Sequence, residues 1–264
     1  MMKFKYFNIF FLILFSFSCA KKDKNSKNVS TTSKPNLEKF EKNAIILRMT
    51  NSKDQKDSEF CWVFSSIAIL ESIYLEKNPK VNSDSINLSE WYFKESNGSD
   101  KYQGTMIAAL NSYSKEIGIV SANDYKRSDN GKVFETTFLG EVMSPLELRD
   151  KLVGSLKFWS YAISPFISGW SAHPDPTALE GEEAYFVPRS SINNIIRKSL
   201  KLRAAIGYWF DSHVVVIYGA KYDTNGKALK YYIKDSYPPY FYERDADFVH
   251  TKIITLTGIS NLDS

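Results

Sequence analysis

The stretch from Phe60 to Glu76 constrains this chain most. It is a continuous run of helix-forming residues whose apolar members, Trp62, Val63, Phe64, Ile67, Ile69, Leu70 and Ile73, fall on nearly every face of a helix. A helix apolar all round cannot lie on a surface, so it must sit in the middle of a lobe with other elements packed about it. The composition can supply them: 43% of residues are hydrophobic and 15% aromatic. About 220 residues of globular sequence fit one large domain, or two lobes that share a cleft.

The first 42 residues stand apart from that domain. Two lysines within Met1–Lys5 precede the apolar run Ile9–Phe17, which stops at Ser18-Cys19. This is the charged-then-apolar order of a secretory signal, too short to span a bilayer as a mature helix. Phe15-Ser16-Phe17-Ser18-Cys19-Ala20 resembles a bacterial lipobox, although the usual leucine and one small residue are replaced. The expectation is a signal peptide over residues 1–18, with Cys19 as the acylated first residue of a lipoprotein on the bacterial cell envelope, at the outer membrane or its periplasmic face. Residues 19–42, rich in Lys, Ser, Asn and Thr, read as a flexible tether to the bilayer. A domain over 43–264 follows. The net charge of +4 lies largely in leader and tether, so it gives no argument for nucleic acid.

Within the domain helices come first and strands later. Ser58 is the expected N-cap of the long helix. Shorter helices are expected at Leu88–Phe93, Thr105–Lys115 after Gly104, Leu146–Leu156 after Pro145, and Ser190–Leu200. The period then changes: Ala204–Trp209, His213–Ala220, Tyr231–Lys234 and Lys252–Thr257 are β-branched and aromatic, with a turn at Asp223-Thr224-Asn225-Gly226. That order implies an α+β class with an antiparallel second half.

Gln55 stands six positions before Cys61-Trp62 at the start of the buried helix, and with Cys19 spent on the anchor Cys61 is left without a partner. A thiol at a helix N-terminus is drawn toward thiolate by the helix dipole. A glutamine looping back can join the cysteine N–H in binding an oxyanion.

These residues, with Ser212-His213-Val214-Val215-Val216-Ile217-Tyr218-Gly219 and Tyr231-Tyr232-Ile233-Lys234-Asp235-Ser236-Tyr237, resemble the papain-like cysteine peptidases, whose corresponding strands carry the histidine and end in Asn-Ser-Trp. The resemblance runs from about Thr50 to Phe241. It implies a two-lobe α+β fold, with Cys61 on the central helix of a helical lobe, and His213 and Asp235 on an antiparallel β lobe. It further implies a cysteine-type endopeptidase in which Cys61 is nucleophile, His213 the base, Asp235 the group orienting His213, and Gln55 an oxyanion donor. Trp62, Gly104 and Tyr237 would line the substrate site, with Trp62 and Tyr237 shielding the dyad. The substrate would be a peptide or protein, no cofactor is called for, and the protein would act as a monomer.

Several residues depart from that pattern. Glu59 stands where a cleft-lining glycine is common, Gln103 replaces the first glycine of a pair, and Asp235 replaces asparagine. His213 follows Gly207 by six positions, so the loop before the histidine is nearly absent, and 158–185 is expected to supply that wall. The stripe Trp159, Tyr161, Phe166, Trp170 reads as packing, and His173 and His250 as loop and surface residues. Metal-ligand spacings, a glycine-rich phosphate loop and a Gly-x-Ser-x-Gly elbow are missing. Two other readings remain: an inactive papain-like interaction lipoprotein, and a Cys-His-Asp amide transferase.

Overall fold

The longest strand is assembled from His-Val-Val-Val-Ile-Tyr-Gly-Ala-Lys-Tyr, and all but one of its residues are buried. An unbroken β-branched run of this kind suits a strand covered on both faces. The computed structural model describes residues 43–96, 110, 118–125, 133–154, 156–164, 173–174, 184–210 and 213–259. In chain order these form β1 (Ala44–Ile46), α1 (Cys61–Lys77), α2 (Glu90–Ser96), β2 (Thr136–Phe138), β3 (Glu141–Met143), α3 (Pro145–Leu152), β4 (Phe158–Ser164), β5 (His173–Pro174), β6 (Ala184–Pro188), α4 (Ile192–Lys201), β7 (Ile206–Phe210), β8 (His213–Tyr222), β9 (Ala228–Lys234), β10 (Phe241–Asp245), α5 (Ala246–Lys252) and β11 (Ile253–Ile259).

The strands after β3 build one sheet in the order β10-β9-β8-β7-β11-β4-β6-β5, with β1 added along β8. Its pairings are antiparallel except β4 with β6, which is parallel. Gly219 is needed where β1 crosses β8: a Cβ there would stand 2.8 Å from the Ile45 carbonyl oxygen. Helix α1 packs between this sheet and the helices α2 and α3, so it is buried from both sides, as its all-round apolarity requires. Among the described residues no helix is long and apolar enough to cross a membrane.

Local sequence explains most boundaries. Ser144 caps α3 through a reciprocal box with Glu147, and Pro145 occupies its first turn. Ser58 does not cap α1, contrary to expectation: Phe60 is the capping position and makes no side-chain cap. The Ser58 hydroxyl instead donates to the Gln55 carbonyl at 2.7 Å, because it belongs to the preceding turn. His173 lies in strand β5 rather than a loop, held by pairing with Phe186 of β6. Residues 1–42, Gly104 and, Leu110 apart, the helix expected at Thr105–Lys115 lie outside the described residues.

Tyr218, on β8, is fully buried between Tyr232 and Phe241, and its hydroxyl has no hydrogen-bond partner among the described residues. Burial pushes that phenol well above its ordinary value. A buried hydroxyl without a partner costs stability. Tyr218→Phe should therefore be neutral or raise the unfolding free energy by about 1 kcal/mol in urea melts.

Candidate active site

The segment before α1 is folded back by its own hydrogen bonds. Lys56 takes a left-handed conformation with φ 53°, and its N–H donates to the Asp54 carboxylate at 2.8 Å. The Ser58 N–H and hydroxyl both donate to the Gln55 carbonyl. The Gln55 N–H in turn donates to the Ser236 carbonyl at 3.1 Å, which fastens the turn to the end of β9. Gln55 is thus buried beside the start of α1, as its spacing from Cys61 suggested.

Cys61 is the first residue of α1 and fully buried. One turn on and on the same side of the helix, Ser65 donates to the Val214 carbonyl at 3.1 Å. That bond aligns the head of α1 with the head of β8, where His213 sits next to Val214. The expectation that Cys61 has no partner within the chain is corrected: it is disulfide-bonded. Cys19 lies outside the described residues. A sulfur held in a disulfide is not a nucleophile, so chemistry at Cys61 belongs to the reduced protein.

His213 is buried at the first position of β8, and its Nε2 donates to Asp235 Oδ1 at 2.8 Å. The bond leaves Nδ1 as the ring nitrogen on the side away from Asp235. Asp235 follows the last residue of β9 and is almost wholly buried. Its Oδ1 also accepts from the Tyr237 N–H at 3.0 Å, and its Oδ2 from the Tyr242 hydroxyl at 3.1 Å. Burial, with the Asp235 charge second, holds the Tyr242 phenol well above its ordinary value, so it stays a donor. Tyr242 arrives because β10 returns antiparallel along β9, with Phe241 opposite Lys234.

Tyr237 lies over His213, ring centroids 5.3 Å apart. Trp62 is 7% exposed and packs in the main hydrophobic core. Glu59 is exposed. Lys234 reaches back to Thr50.

A buried charge network that the sequence reading did not find supports this site. Lys53 Nζ lies 3.1 Å from Glu71 and 2.5 Å from Glu90, and donates to the Leu88 carbonyl at 2.6 Å. Glu71 also accepts from the Leu88 N–H and from the Thr50 hydroxyl. Thr50 completes the chain by accepting from Lys234 at its hydroxyl (2.9 Å) and carbonyl (3.0 Å). Burial would lower the Lys53 ammonium, but Glu71 and then Glu90 outweigh it and hold it above its ordinary value. The network lines a recess of about 290 Å³ that also touches Ser65 and Asp235. The available signal was Glu71: a carboxylate on a helix buried all round needs a partner. Among the described residues no His, Cys, Asp and Glu cluster could hold a metal ion.

No protein-family model matches the chain, and no curated protein matches it in sequence. Solved structures do resemble it. PepW from Lactobacillus rhamnosis is 12% identical, with a TM-score of 0.59 over 83% of this chain and 82% of that one. The stem bromelain precursor is 18% identical with a TM-score of 0.48, over 83% of this chain and 70% of that one. The bromelain protease from Ananas comosus in complex with the E64 inhibitor is 17% identical with a TM-score of 0.47, over 82% and 98%. The fold is papain-like, with a helical lobe and a largely antiparallel β lobe.

Proposed function

We propose that this papain-like domain is a cysteine-type endopeptidase in its reduced form, with Cys61 as nucleophile, His213 as base and Asp235 as the group that orients His213. The observation that carries the reading is the buried His213–Asp235 bond on strands whose head is tied, through Ser65 and Val214, to the head of the helix bearing Cys61. Asp235 holds Nε2, so Nδ1 is the nitrogen that takes the thiol proton. The thiolate attacks a peptide carbonyl, and the imidazolium returns its proton to the leaving amine. Water, deprotonated by His213, then hydrolyses the thioester.

The protein would be tethered to the cell envelope through acylated Cys19 and would meet its substrate at the envelope surface. A peptide or protein substrate is in keeping with the papain-like fold shared with PepW.

The test uses protein spanning residues 43–264, reduced, with a broad peptide library. Cleavage is expected, and is expected to vanish in Cys61→Ala and after treatment with an epoxide inhibitor. Rapid alkylation of Cys61 without any Cys61-dependent cleavage would sink the peptidase reading and leave the interaction-protein or amide-transferase readings in its place.

A further inference from the structure

The carboxamide of Gln55 is engaged at both of its polar atoms. Its Nε2 carries two hydrogens: one goes to the Ser58 carbonyl at 2.6 Å, the other to the Tyr237 hydroxyl oxygen at 2.9 Å. Its Oε1 accepts from the Ser236 hydroxyl. The amide cannot be turned over, because that would set its oxygen against the Ser58 carbonyl oxygen, which can only accept. Gln55 is 2% exposed and has no third hydrogen for a substrate oxygen.

Tyr237 is different. Since its oxygen accepts from Gln55, its own hydrogen must point elsewhere. Its main chain is fixed by the bond from its N–H to Asp235 and by the Tyr240 N–H that donates to its carbonyl at 2.9 Å. Its ring lies against His213 and is only partly buried. The hydroxyl is thus a donor whose oxygen is placed by Gln55, on a ring that lies against His213. The tryptophan that the resemblance puts at this position has no oxygen with which to accept from a glutamine.

We infer that the Tyr237 hydroxyl is the side-chain donor of the oxyanion hole, and that Gln55 serves to place and polarise it. This rests on the peptidase reading. In the reaction the sulfur lone pair forms the S–C bond and the carbonyl π pair moves onto oxygen. That oxygen is met by the Tyr237 O–H, which keeps its proton. The pair returns as the C–N bond breaks, and the amine leaves with the proton from His213. Burial, above all, raises the Tyr237 phenol, which keeps it a neutral donor. A donor polarised by a second hydrogen bond is a stronger one.

In the reduced full-length protein, Tyr237→Phe should lower kcat by on the order of 10²–10³ with little change in KM. Iodoacetamide labelling of Cys61, and its pH profile, should stay as in the native protein. Gln55→Ala should lose a similar factor, and the double variant no more than either alone, since the two residues act as one unit. Replacing Tyr237 with 3-fluorotyrosine, which keeps the ring and strengthens the donor, should tighten a peptide aldehyde by roughly 2–5-fold. Tyr237→Phe with native turnover, or fluorotyrosine with unchanged aldehyde affinity, overturns the assignment and leaves the peptidase reading standing. A native protein that never cleaves while Cys61 alkylates overturns both.

Discussion

Asp235→Ala should reduce kcat/KM by on the order of 10³–10⁴, whereas Asp235→Asn should leave a working enzyme. The contrast follows from the three bonds at this carboxylate. Oδ1 accepts from His213 Nε2 and from the Tyr237 N–H, and Oδ2 from the Tyr242 hydroxyl. An asparagine keeps the first two at its oxygen, and its amide nitrogen can donate to Tyr242, whose oxygen can accept. Alanine leaves all three donors facing a void, with nothing to hold the imidazole in one tautomer. The charge is what asparagine loses. Rates of both variants at one pH, with thermal unfolding to verify folding, decide the matter. Equal and complete loss in both would show that the carboxylate charge itself is required.

Glu71→Ala should destabilise the fold by about 3–5 kcal/mol, the range for removing one partner from a buried ion pair. Glu71 is 1% exposed and binds Lys53, the Leu88 N–H and the Thr50 hydroxyl. Its loss strands a mostly buried ammonium and a buried amide, and it frees Thr50, the contact point of Lys234. Glu71→Gln should cost less, because the amide oxygen can still accept. Urea midpoints at unchanged m value measure both. An Ala variant within 1 kcal/mol of native would mean that Lys53 finds full compensation from Glu90 and Leu88.

Pattern made α1, β8 and β9 legible, because each is long, apolar and bounded by turn or capping residues. Cys61, His213 and Asp235 stood out because each sits at or just past an end of one of these three elements. What stayed hidden depends on contacts between distant segments. β1 is only three residues, Ala44–Ile46, and exists because β8 offers an edge to it. Tyr242 reads as an ordinary strand aromatic until β10 folds back upon β9. Lys53, Glu90 and Lys234 look like solvent charges in sequence, and only the packing of two lobes removes them from water. Ser58 offered two local uses, cap or turn, and the carbonyl of Gln55 decided between them.

The way residues 44–55 are sewn into the sheet has a consequence for the order of events during synthesis. Leu47 donates to Tyr218, Gln55 to Ser236, and β1 runs along the far end of β8, so the earliest folded segment has its anchors in a region made nearly last. Pairings so distant in sequence form late and only after the intervening chain exists. Helix α1 can coil as soon as it emerges, but His213, Asp235 and Tyr242 are still to come. A chain still leaving the ribosome therefore carries its central helix, while the cluster of His213, Asp235 and Tyr242 takes shape only when the last strands close.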